Sequence, residues 1–460
     1  MSETGLRRIA LFTATLAAFL TPFDISAINI ALPTIGKELA MDAISLNWVS
    51  TAYLLSSAVF LVPFGRVADI YGRKRLFSYG ILIFVCASFS LALSNSSLML
   101  IALRVVQGIG GSMMGATMVA IISSTFPPGE RGKALGINSA VIYIGLTTGP
   151  FLGGIMTLYL GWRSIFLVNV PLGIFTLILI LWKLKPEWCD AKGERFDIIG
   201  SIIFGASLAS TIYGVSLLPT FYGWGLTLGG GFGMAAFVLY EMRQQSPIVN
   251  IELFKGNRVF LFSNLAAFLN YSSTFAVAFL LSLYLQYIKG LNPTVAGSIL
   301  LFQPILQAIL SPFVGRLSDR IEPRILSSAG MAVTSAALFL LTFIGTNTSE
   351  WAVIANLALL GIGLAFFVSP NTNAIMGSVD RKSLGVASGM LSTMRQLGQT
   401  LSMGVVILVF AVYIGYSQIT PAYYPEFLMV CKVLLTVFAL FCFTGIFVSL
   451  SRGKVVKKQS

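Results

Sequence analysis

The chain contains no histidine and little charge: of its 460 residues, 10% are charged and 56% are hydrophobic. The missing imidazole excludes histidine-based acid–base catalysis and most zinc sites. So little charge cannot cover the surface of a soluble protein of this length. The four cysteines do not suggest a disulfide framework, because Cys431 and Cys442 on one helix would lie about 16 Å apart. These absences favour a membrane protein over a soluble enzyme.

Long apolar runs are what the sequence has in abundance. Runs of about 18 or more mostly apolar residues recur along the chain, and each can cross a bilayer as a helix. The sequence predicts fourteen spans, near residues 8–33, 46–66, 76–94, 98–124, 134–157, 163–183, 198–218, 222–242, 259–288, 294–316, 325–345, 351–377, 385–415 and 427–450. We therefore expect an all-α polytopic membrane protein.

Basic residues are unevenly distributed among the loops. The chain carries 30 Lys and Arg against 17 Asp and Glu, and the basic residues gather in alternate loops, as at Arg73–Arg75 and Lys454–Lys458. This asymmetry predicts both termini in the cytoplasm and a multi-pass protein of the cell membrane. The net charge of +13 is then a topology signal, and nucleic acid is not an expected partner. The first apolar run lacks a convincing cleavage site, so we expect a retained span.

An internal repeat organises the chain. Gly65-Arg66-Val67-Ala68-Asp69 is matched by Gly315-Arg316-Leu317-Ser318-Asp319. The offset exceeds six spans and fits eight, so the simplest layout is two related six-helix bundles with two inserted helices. Related halves are a recurrent transporter plan, with the substrate site expected between them near mid-membrane. The predicted domains are residues 1–186, 187–257 and 258–460, the middle one holding the linkers and the inserted pair.

Asp24 is the carboxylate that lies inside a predicted span. By helical rise it lies about 24 Å from Arg8, in the outer half of the membrane. An intramembrane carboxylate is costly and marks a functional site by default. Burial disfavours its charged form, which makes proton exchange possible. The alternative is a purely structural hydrogen bond within the bundle.

Arg104 is the second charge within a span. Its depth, about 10 Å below the outer surface, is similar to that of Asp24, so the two side chains can pair if their helices are neighbours. Gln107 follows three residues later on the same helix face. The alternative is an arginine that snorkels or bonds backbone carbonyls.

The turn between the second and third spans carries the pattern Gly65-x3-Asp69-x2-Gly72-Arg73-Lys74-Arg75. Gly72 permits the sharp reversal, and the basic cluster holds the loop in the cytoplasm. Asp69 is a candidate gating residue, because it can pair with a cation or a helix N-terminus when the cytoplasmic side closes. The alternative is a topology anchor only.

Glycines and one proline mark the fifth span as a second candidate gating element. Gly145, Gly149 and Pro150 lie in it, with Gly136 before them and Gly153-Gly154 after them. Small residues let helices approach closely, and a proline frees a carbonyl and bends the helix. Ordinary close packing would give the same pattern.

Amides and aromatics within the spans suggest a pocket. An apolar, aromatic cavity with few polar groups suits lipophilic ligands, although each such residue taken singly is more often packing. The candidate substrate-binding residues are Asn29, Gln107, Asn270, Phe275, Phe302, Gln303, Gln307, Phe367, Asn371 and Gln396.

Together these motifs resemble those of the major facilitator superfamily, and specifically its fourteen-span drug:proton antiporters. The resemblance covers essentially the whole chain. It rests on Phe23 to Pro33 in the first span, the turn Gly65–Arg75, Arg104-x2-Gln107-Gly108-x-Gly110-Gly111, Gly136 to Gly154, Gly161-Trp162-Arg163 to Pro171-Leu172-Gly173, and Gly385 to Gly398. One departure is the short segment Ser417–Pro425, where such proteins often have a longer outer loop, so any role of that loop is in doubt.

The resemblance implies a major facilitator fold and a proton-coupled multidrug efflux antiporter that works by alternating access. Asp24 would then take part in proton coupling, Arg104 in proton or substrate handling, and Asp69 in the gate. The expected gating residues are Gly65, Asp69, Gly72, Arg73, Gly145, Gly149, Pro150 and Asp319.

The expected ligands are lipophilic, often cationic compounds, with protons as the coupling ion and no cofactor or metal. We expect a monomer in the lipid bilayer and no enzymatic activity. The main alternative is an exporter or importer of one metabolite on the same fold. A membrane-embedded transferase is disfavoured because histidine and a clustered acidic pair are lacking, and a receptor because no soluble domain is apparent.

Overall fold

The computed structural model describes residues 3–218, 220–244, 247–248, 254, 256–318, 320–379 and 384–453. The elements in this part of the chain are helical. The helices are α1 (Glu3–Glu38), α2 (Ala43–Tyr71), α3 (Arg73–Ala92), α4 (Ser97–Thr125), α5 (Pro128–Tyr159), α6 (Arg163–Lys183), α7 (Ile198–Ser216), α8 (Phe221–Glu241), α9 (Arg258–Leu283), α10 (Pro293–Leu300), α11 (Phe302–Leu317), α12 (Pro323–Leu341), α13 (Glu350–Gly377), α14 (Leu384–Tyr413) and α15 (Tyr424–Leu450). A π-helical turn (Tyr284–Ile288) extends α9, and a 3₁₀ turn (Pro421–Tyr423) precedes α15.

Every predicted span contains a helix at its place, and the tenth contains two. α10 and α11 meet at Leu301 within one apolar segment. Pro304 lacks the N–H that would bond the carbonyl of Leu300, which accounts for the interruption. Within the described residues, 13 segments are long and apolar enough to cross a membrane. α8 is not among them, because six glycines and several aromatics lower its hydropathy.

The chain divides into two compact units. The N-terminal unit comprises Met1–Met41 and Ser45–Asn250, and it includes α7 and α8; the C-terminal unit comprises Asp42–Ile44 and Ile251–Ser460. In the N-terminal unit α1 packs on α4, α5 and α6, and α3 packs on α4 and α6. In the C-terminal unit α9 packs in the same way on α13, α14 and α15, and α12 packs on α13 and α15. The repeated neighbour pattern agrees with the internal repeat of the sequence.

Glycines set the closest helix contacts of the N-terminal unit. A Cβ atom at Gly110 would lie 2.7 Å from the backbone nitrogen of Phe84, and one at Gly153 would lie 2.7 Å from the Cα of Ala27. Contacts this short require hydrogen at those positions. The glycine motif of α4 therefore brings α4 against α3, and that of α5 brings α5 against α1.

The inserted helices α7 and α8 pack on each other through small residues. A Cβ at Gly214 would meet the backbone nitrogen of Thr227 at 2.5 Å, and one at Gly230 would meet the carbonyl of Ser207 at 2.6 Å. α7 also contacts α2, where a Cβ at Gly205 would lie 2.9 Å from Val59. The pair thus forms a hairpin attached to the N-terminal unit.

Candidate functional site

Asp24 is fully buried in the N-terminal unit and is surrounded by hydrogen-bond donors. Its Oδ2 accepts from Nη1 of Arg104 at 2.5 Å. Its Oδ1 accepts from Nε2 of Gln107 at 3.2 Å and from Nδ2 of Asn169 at 2.8 Å. Donors from α4 and α6 therefore converge on a carboxylate carried by α1. The pairing of Asp24 with Arg104, expected from their similar depths, is confirmed.

Arg104 is also fully buried, and Asp24 is only one of its partners. Its Nε donates to the carbonyl of Val49 at 3.0 Å, and its Nη1 donates to Oε1 of Gln107 at 2.6 Å. The guanidinium carbon lies 4.6 Å from the ring centroid of Tyr53 and 6.0 Å from that of Phe166. Aromatic faces attract a cation at these distances. The guanidinium is thus held by four groups besides the carboxylate.

Gln107 has a fixed orientation within this cluster. Its Oε1 faces Arg104, which can only donate, and its Nε2 donates to Ser88 Oγ at 3.0 Å as well as to Asp24. Ser88 in turn donates its own proton to the carbonyl of Phe84 at 2.7 Å. Reversing the amide of Gln107 would place its nitrogen against the guanidinium, so its assignment follows from the network.

The local backbone explains why these side chains meet. Gly108 and Gly111 of α4 lie against Tyr53 of α2, where a Cβ at Gly108 would lie 2.5 Å from the Tyr53 carbonyl. Arg104 and Gln107, one turn earlier on α4, are therefore carried directly against α1 and α2. The glycines that follow Arg104 are therefore needed so that α4 can pack closely enough for the charged cluster to form.

α1 is held in turn by α5 close to Asp24. A Cβ at Gly145 would lie 2.9 Å from the Phe19 carbonyl, and one at Gly149 would lie 2.5 Å from the Cβ of Ser26. Pro150 has no N–H for the carbonyl of Leu146, one turn earlier. The hydroxyl of Ser26 donates to that carbonyl at 3.0 Å. The free carbonyl expected from Pro150 therefore bonds a residue two positions from Asp24.

The turn after α2 is covered by the segment Glu187–Glu194, which we name the clasp segment. Asp69 pairs with Arg73 at 2.6 Å, and Arg73 also pairs with Asp190 at 2.7 Å. The backbone N–H of Arg73 donates to the carbonyl of Trp188, and that of Ala191 donates to the carbonyl of Asp69, both at 3.0 Å. The partner of Asp69 is thus an arginine of its own turn, itself held by the clasp segment.

Two further contacts complete the clasp. Glu187 accepts from the backbone N–H of Lys74 at 2.8 Å and lies 3.8 Å from Arg75, and Glu194 pairs with Arg66. Gly72 has φ of 124°, and a Cβ there would meet the carboxylate of Glu187 at 2.6 Å. Gly65 has no atom within 4 Å of its Cβ position. Asp319, predicted as a gating residue, lies outside the described residues.

The predicted substrate-binding residues are distributed over both units. In the N-terminal unit, Gln107 belongs to the Asp24 cluster, and Asn29 is buried with its Oδ1 accepting from Ser50 at 3.1 Å. In the C-terminal unit, Gln303 and Gln307 are bonded to each other at 3.2 Å on α11. Their joint role in binding stays a prediction.

The remaining candidates differ in exposure. Asn270 is fully buried, and neither its Nδ2 nor its Oδ1 has a hydrogen-bond partner among the described residues. Phe367 is buried, Phe302 is 40% exposed, and Phe275 and Gln396 are partly buried. Asn371 is buried and already bonded within the C-terminal unit.

A second polar cluster, centred on Arg452, joins four helices of the C-terminal unit. The fully buried Arg452, just beyond α15, donates to Ser263 Oγ at 3.1 Å, to Asn371 Oδ1 at 3.0 Å and to Ser449 Oγ at 2.6 Å. Ser328 of α12 donates to Ser449 at 2.9 Å. Burial lowers the pKa of Arg452 to about 10, which leaves the guanidinium charged at neutral pH. Within the part of the chain that the structure describes, the side chains that accept from Arg452 are all uncharged.

Sequence reasoning did not select Asn169, Ser88, Tyr53 or Arg452. Asn169 carried a usable signal, since it is the one amide in the strongly apolar run Arg163–Lys183. Ser88 and Tyr53 are common in membrane helices, and nothing in the sequence distinguishes them. Arg452 follows the last span and looks like one more basic residue of a cytoplasmic end.

The family model of the major facilitator superfamily matches residues 14–403 and 263–459. The chain belongs to this superfamily. A curated relative, the riboflavin transporter RibZ of Clostridioides difficile (strain 630), is 30% identical over 444 residues, covering 95% of this chain and 96% of RibZ. The multidrug resistance protein Stp of Mycobacterium tuberculosis (strain CDC 1551 / Oshkosh) is 32% identical over 421 residues, covering 90% of this chain and 78% of Stp.

Solved structures of superfamily members share the fold. A bacterial homolog of the human lysosomal transporter Spinster superposes with a TM-score of 0.65 at 17% identity, over 97% of both chains. By its match to the family model, the protein is a membrane transporter of the major facilitator superfamily, a family whose members are not enzymes. The resemblance to the major facilitator superfamily, inferred from the motifs, is confirmed.

Proposed function

We propose that this transporter exports lipophilic, often cationic compounds from the cell by exchange for protons, with Asp24 as the coupling residue. The protein would lie in the plasma membrane with both termini in the cytoplasm. Relatives named for multidrug resistance support the substrate class. The observation that carries the proposal is the fully buried carboxylate of Asp24 among donors from two other helices.

The chemistry of the cluster supports proton exchange. A buried carboxylate needs either a positive partner or a proton, and Arg104 supplies Asp24 with the first of these. With Arg104 paired to it, the carboxylate is stable in its charged form. When a proton binds, the ion pair is lost, and the conformation that depends on it loses stability.

Arg104 does not need Asp24 to be charged. After protonation, its guanidinium keeps the Val49 carbonyl, the Gln107 amide oxygen and the faces of Tyr53 and Phe166. An unpaired buried charge would otherwise cost several kcal/mol. These substitute partners make the neutral form of Asp24 accessible, as an exchange cycle requires.

The test is Asp24→Asn, reconstituted in proteoliposomes under an imposed pH gradient. The variant keeps the size of the side chain but cannot exchange a proton. We expect a folded protein that still binds lipophilic cations, loses pH-driven transport and releases no protons on substrate addition. Wild-type drug accumulation with intact proton release would disprove the coupling role of Asp24.

A matched control is Asp69→Asn, since Asp69 lies at the turn and pairs there with Arg73. In that variant we expect a lower turnover rate with proton release per substrate retained. If both variants lost proton release to the same extent, the loss would not be specific to Asp24, and Asp24 could not be named as the coupling residue.

A second candidate function is transport of a flat aromatic metabolite such as riboflavin. It is favoured by the similarity to RibZ along 95% of the chain. Uptake of labelled riboflavin and of a lipophilic cation into the same proteoliposomes, with each added as a competitor of the other, separates the two. Riboflavin transport that lipophilic cations do not inhibit would favour this candidate.

A further inference from the structure

Asn169 differs from the other partners of Asp24 in how it is held. Its Nδ2 donates to Asp24 at 2.8 Å, but its Oδ1 is buried and has no hydrogen-bond partner among the described residues. An unsatisfied buried oxygen costs about 1–3 kcal/mol. A buried oxygen atom without a partner is rare in folded proteins, and its position beside Asp24 suggests a role in the cluster.

The other donors cannot change their role. Arg104 has no acceptor atom in its side chain. The Gln107 amide is fixed by Arg104 at its oxygen and by Ser88 at its nitrogen. Among the side chains bonded to Asp24, only the Asn169 amide can reverse without breaking a second bond.

A protonated Asp24 needs a partner of the opposite kind. As a carboxylate it only accepts hydrogen bonds, but as a carboxylic acid it carries an O–H that must donate. A buried hydroxyl without an acceptor is penalised like any buried polar group. The amide of Asn169 has a donor and an acceptor on one planar group, and a half-turn about its last side-chain bond exchanges them.

We propose that the Asn169 amide reverses with each proton cycle, donating through Nδ2 to the Asp24 carboxylate and accepting through Oδ1 from the protonated carboxyl group. Asn169 is then a positioning residue that keeps Asp24 hydrogen-bonded in both protonation states. The free Oδ1 is the acceptor held ready for the incoming proton. This inference rests on the proposed role of Asp24 in coupling.

The deciding experiment uses Asn169→Val and Asn169→Thr. These side chains have nearly the same shape, but only the threonine hydroxyl can donate or accept as the amide does. The control is Asn264→Val on α9, since Asn264 is also buried, donates through Nδ2 to the Phe260 carbonyl at 2.9 Å, and has an unbonded Oδ1. It lies in the C-terminal unit, whereas Asp24 and its hydrogen-bond partners lie in the N-terminal unit.

The primary measurement is the infrared difference spectrum of the purified, lipid-embedded protein between high and low pH. Loss of a carboxyl band in Asp24→Asn assigns that band to protonated Asp24. In Asn169→Val we expect the band at the higher frequency of a carboxyl group without a hydrogen-bond acceptor. In Asn169→Thr and Asn264→Val we expect it at the wild-type frequency.

Transport supplies the second measurement. We expect pH-driven transport to fall about tenfold in Asn169→Val, equivalent to about 1.4 kcal/mol, and to remain close to wild type in Asn169→Thr and Asn264→Val. If Asn169→Val does not fold, Asn169→Ala removes the same groups and is read by the same band.

The outcomes separate the two proposals. A wild-type Asp24 band whose frequency is unchanged in Asn169→Val and Asn169→Ala would overturn the role of Asn169 and leave that of Asp24 intact. Absence of any Asp24 band in wild type, over the pH range in which transport responds, would overturn the coupling role of Asp24 and the role of Asn169 with it.

Discussion

At the scale of single residues, Gly72 is the position where the backbone and a side chain both require glycine. Its φ of 124° is a conformation that L side chains rarely adopt, and the Glu187 carboxylate occupies the place of its Cβ. Gly65, seven residues earlier in the same motif, is helical and has open space at its Cβ position. The motif therefore contains one position that requires glycine, Gly72, and one that can accept a larger side chain, Gly65.

We expect Gly72→Ala to lower the free energy of unfolding by about 1–3 kcal/mol from the backbone alone, with a further loss from the displaced Glu187. Gly65→Ala should be neutral or stabilise α2 by up to about 1 kcal/mol. Thermal unfolding of the two variants in the same detergent measures the contrast. Equal melting temperatures would show that the clasp segment does not constrain the turn.

The pairing of Asp24 with Arg104 could be predicted from the sequence because depth along a membrane helix follows from residue number. Asn169 was missed because an isolated amide in an apolar span has many structural roles. Its partner lies 145 positions away in the chain. Only the helix packing shows which carboxylate it reaches.

At the scale of elements, α5 and α1 are joined by a hydrogen bond next to Pro150. The carbonyl of Leu146 lacks its helical N–H because of that proline, and the hydroxyl of Ser26 satisfies it from α1. A bend in α5 that moves Leu146 therefore pulls on α1 close to Asp24. This contact gives the proline a direct link to the candidate coupling residue.

We expect Ser26→Ala to destabilise the protein by about 1 kcal/mol, because the Leu146 carbonyl then has no partner. Pro150→Ala restores a backbone N–H at the right place in α5, so the double variant should recover that loss. A double-mutant cycle on melting temperatures in detergent measures the coupling. Strictly additive effects would mean that the hydroxyl and the proline act independently.

The second feature at this scale is the clasp segment, which is held on the turn after α2 largely by ion pairs. Asp190 and Glu194 pair with Arg73 and Arg66, and because both carboxylates are exposed to solvent, salt can screen these pairs. Together with two backbone hydrogen bonds they hold the segment on the turn. Cys189 lies within the segment and is partly buried, so it is a natural reporter.

We expect Asp190→Asn combined with Glu194→Gln to raise the labelling rate of Cys189 by a water-soluble maleimide several-fold, because the segment detaches more often. High salt should raise the rate in the unmodified protein and have less effect in the double variant. The measurement uses a Cys86→Ser background. A labelling rate indifferent to both charge removal and salt would refute an electrostatic clasp.

At the scale of the whole molecule, each unit contains a buried arginine cluster that contacts corresponding helices. Around Asp24 the contributing helices include α1, α3, α4 and α6, and around Arg452 they are α9, α12, α13 and α15. Among the described residues, the first cluster contains a carboxylate that pairs with its arginine, whereas the hydrogen-bond partners of Arg452 in the second are all uncharged. A proton can therefore change the charge of the first cluster and leave that of the second unchanged, which suits a coupling role for one and a bracing role for the other.

We expect Arg452→Lys to destabilise the C-terminal unit by about 2 kcal/mol, because one ammonium cannot bond Ser263, Asn371 and Ser449 together and leaves buried groups unsatisfied. Cys431 and Cys442 are buried on α15, so in a background that carries Cys86→Ser and Cys189→Ser a thiol-reactive dye reports the unfolding of this unit. Arg324→Lys is the control, because Arg324 is partly exposed and pairs with Glu322. Equal unfolding temperatures in the two variants would show that the hydrogen bonds of Arg452 do not stabilise the C-terminal unit.

The number and placement of the helices were largely predictable. Hydropathy shows which segments can lie in lipid, and glycine patterns show where helices approach each other closely. α6 begins and ends at the predicted residues 163 and 183. The clasp segment was not predictable, since charged loop residues carry no periodicity and their partners are fixed only by the folded turn. The break at Leu301 follows from Pro304, whose effect on a single carbonyl is visible only with the helix in place.

The position of Arg452 also bears on the order in which a growing chain can mature. All side chains around Asp24 are made once residue 169 has left the ribosome, so the N-terminal cluster can close while later helices are still being inserted. The C-terminal cluster draws on residues from 263 to 452 and must wait until all fifteen helices described here have been synthesised. During biogenesis, Ser263 and Asn371 are therefore synthesised well before Arg452, the guanidinium that they accept from in the finished protein.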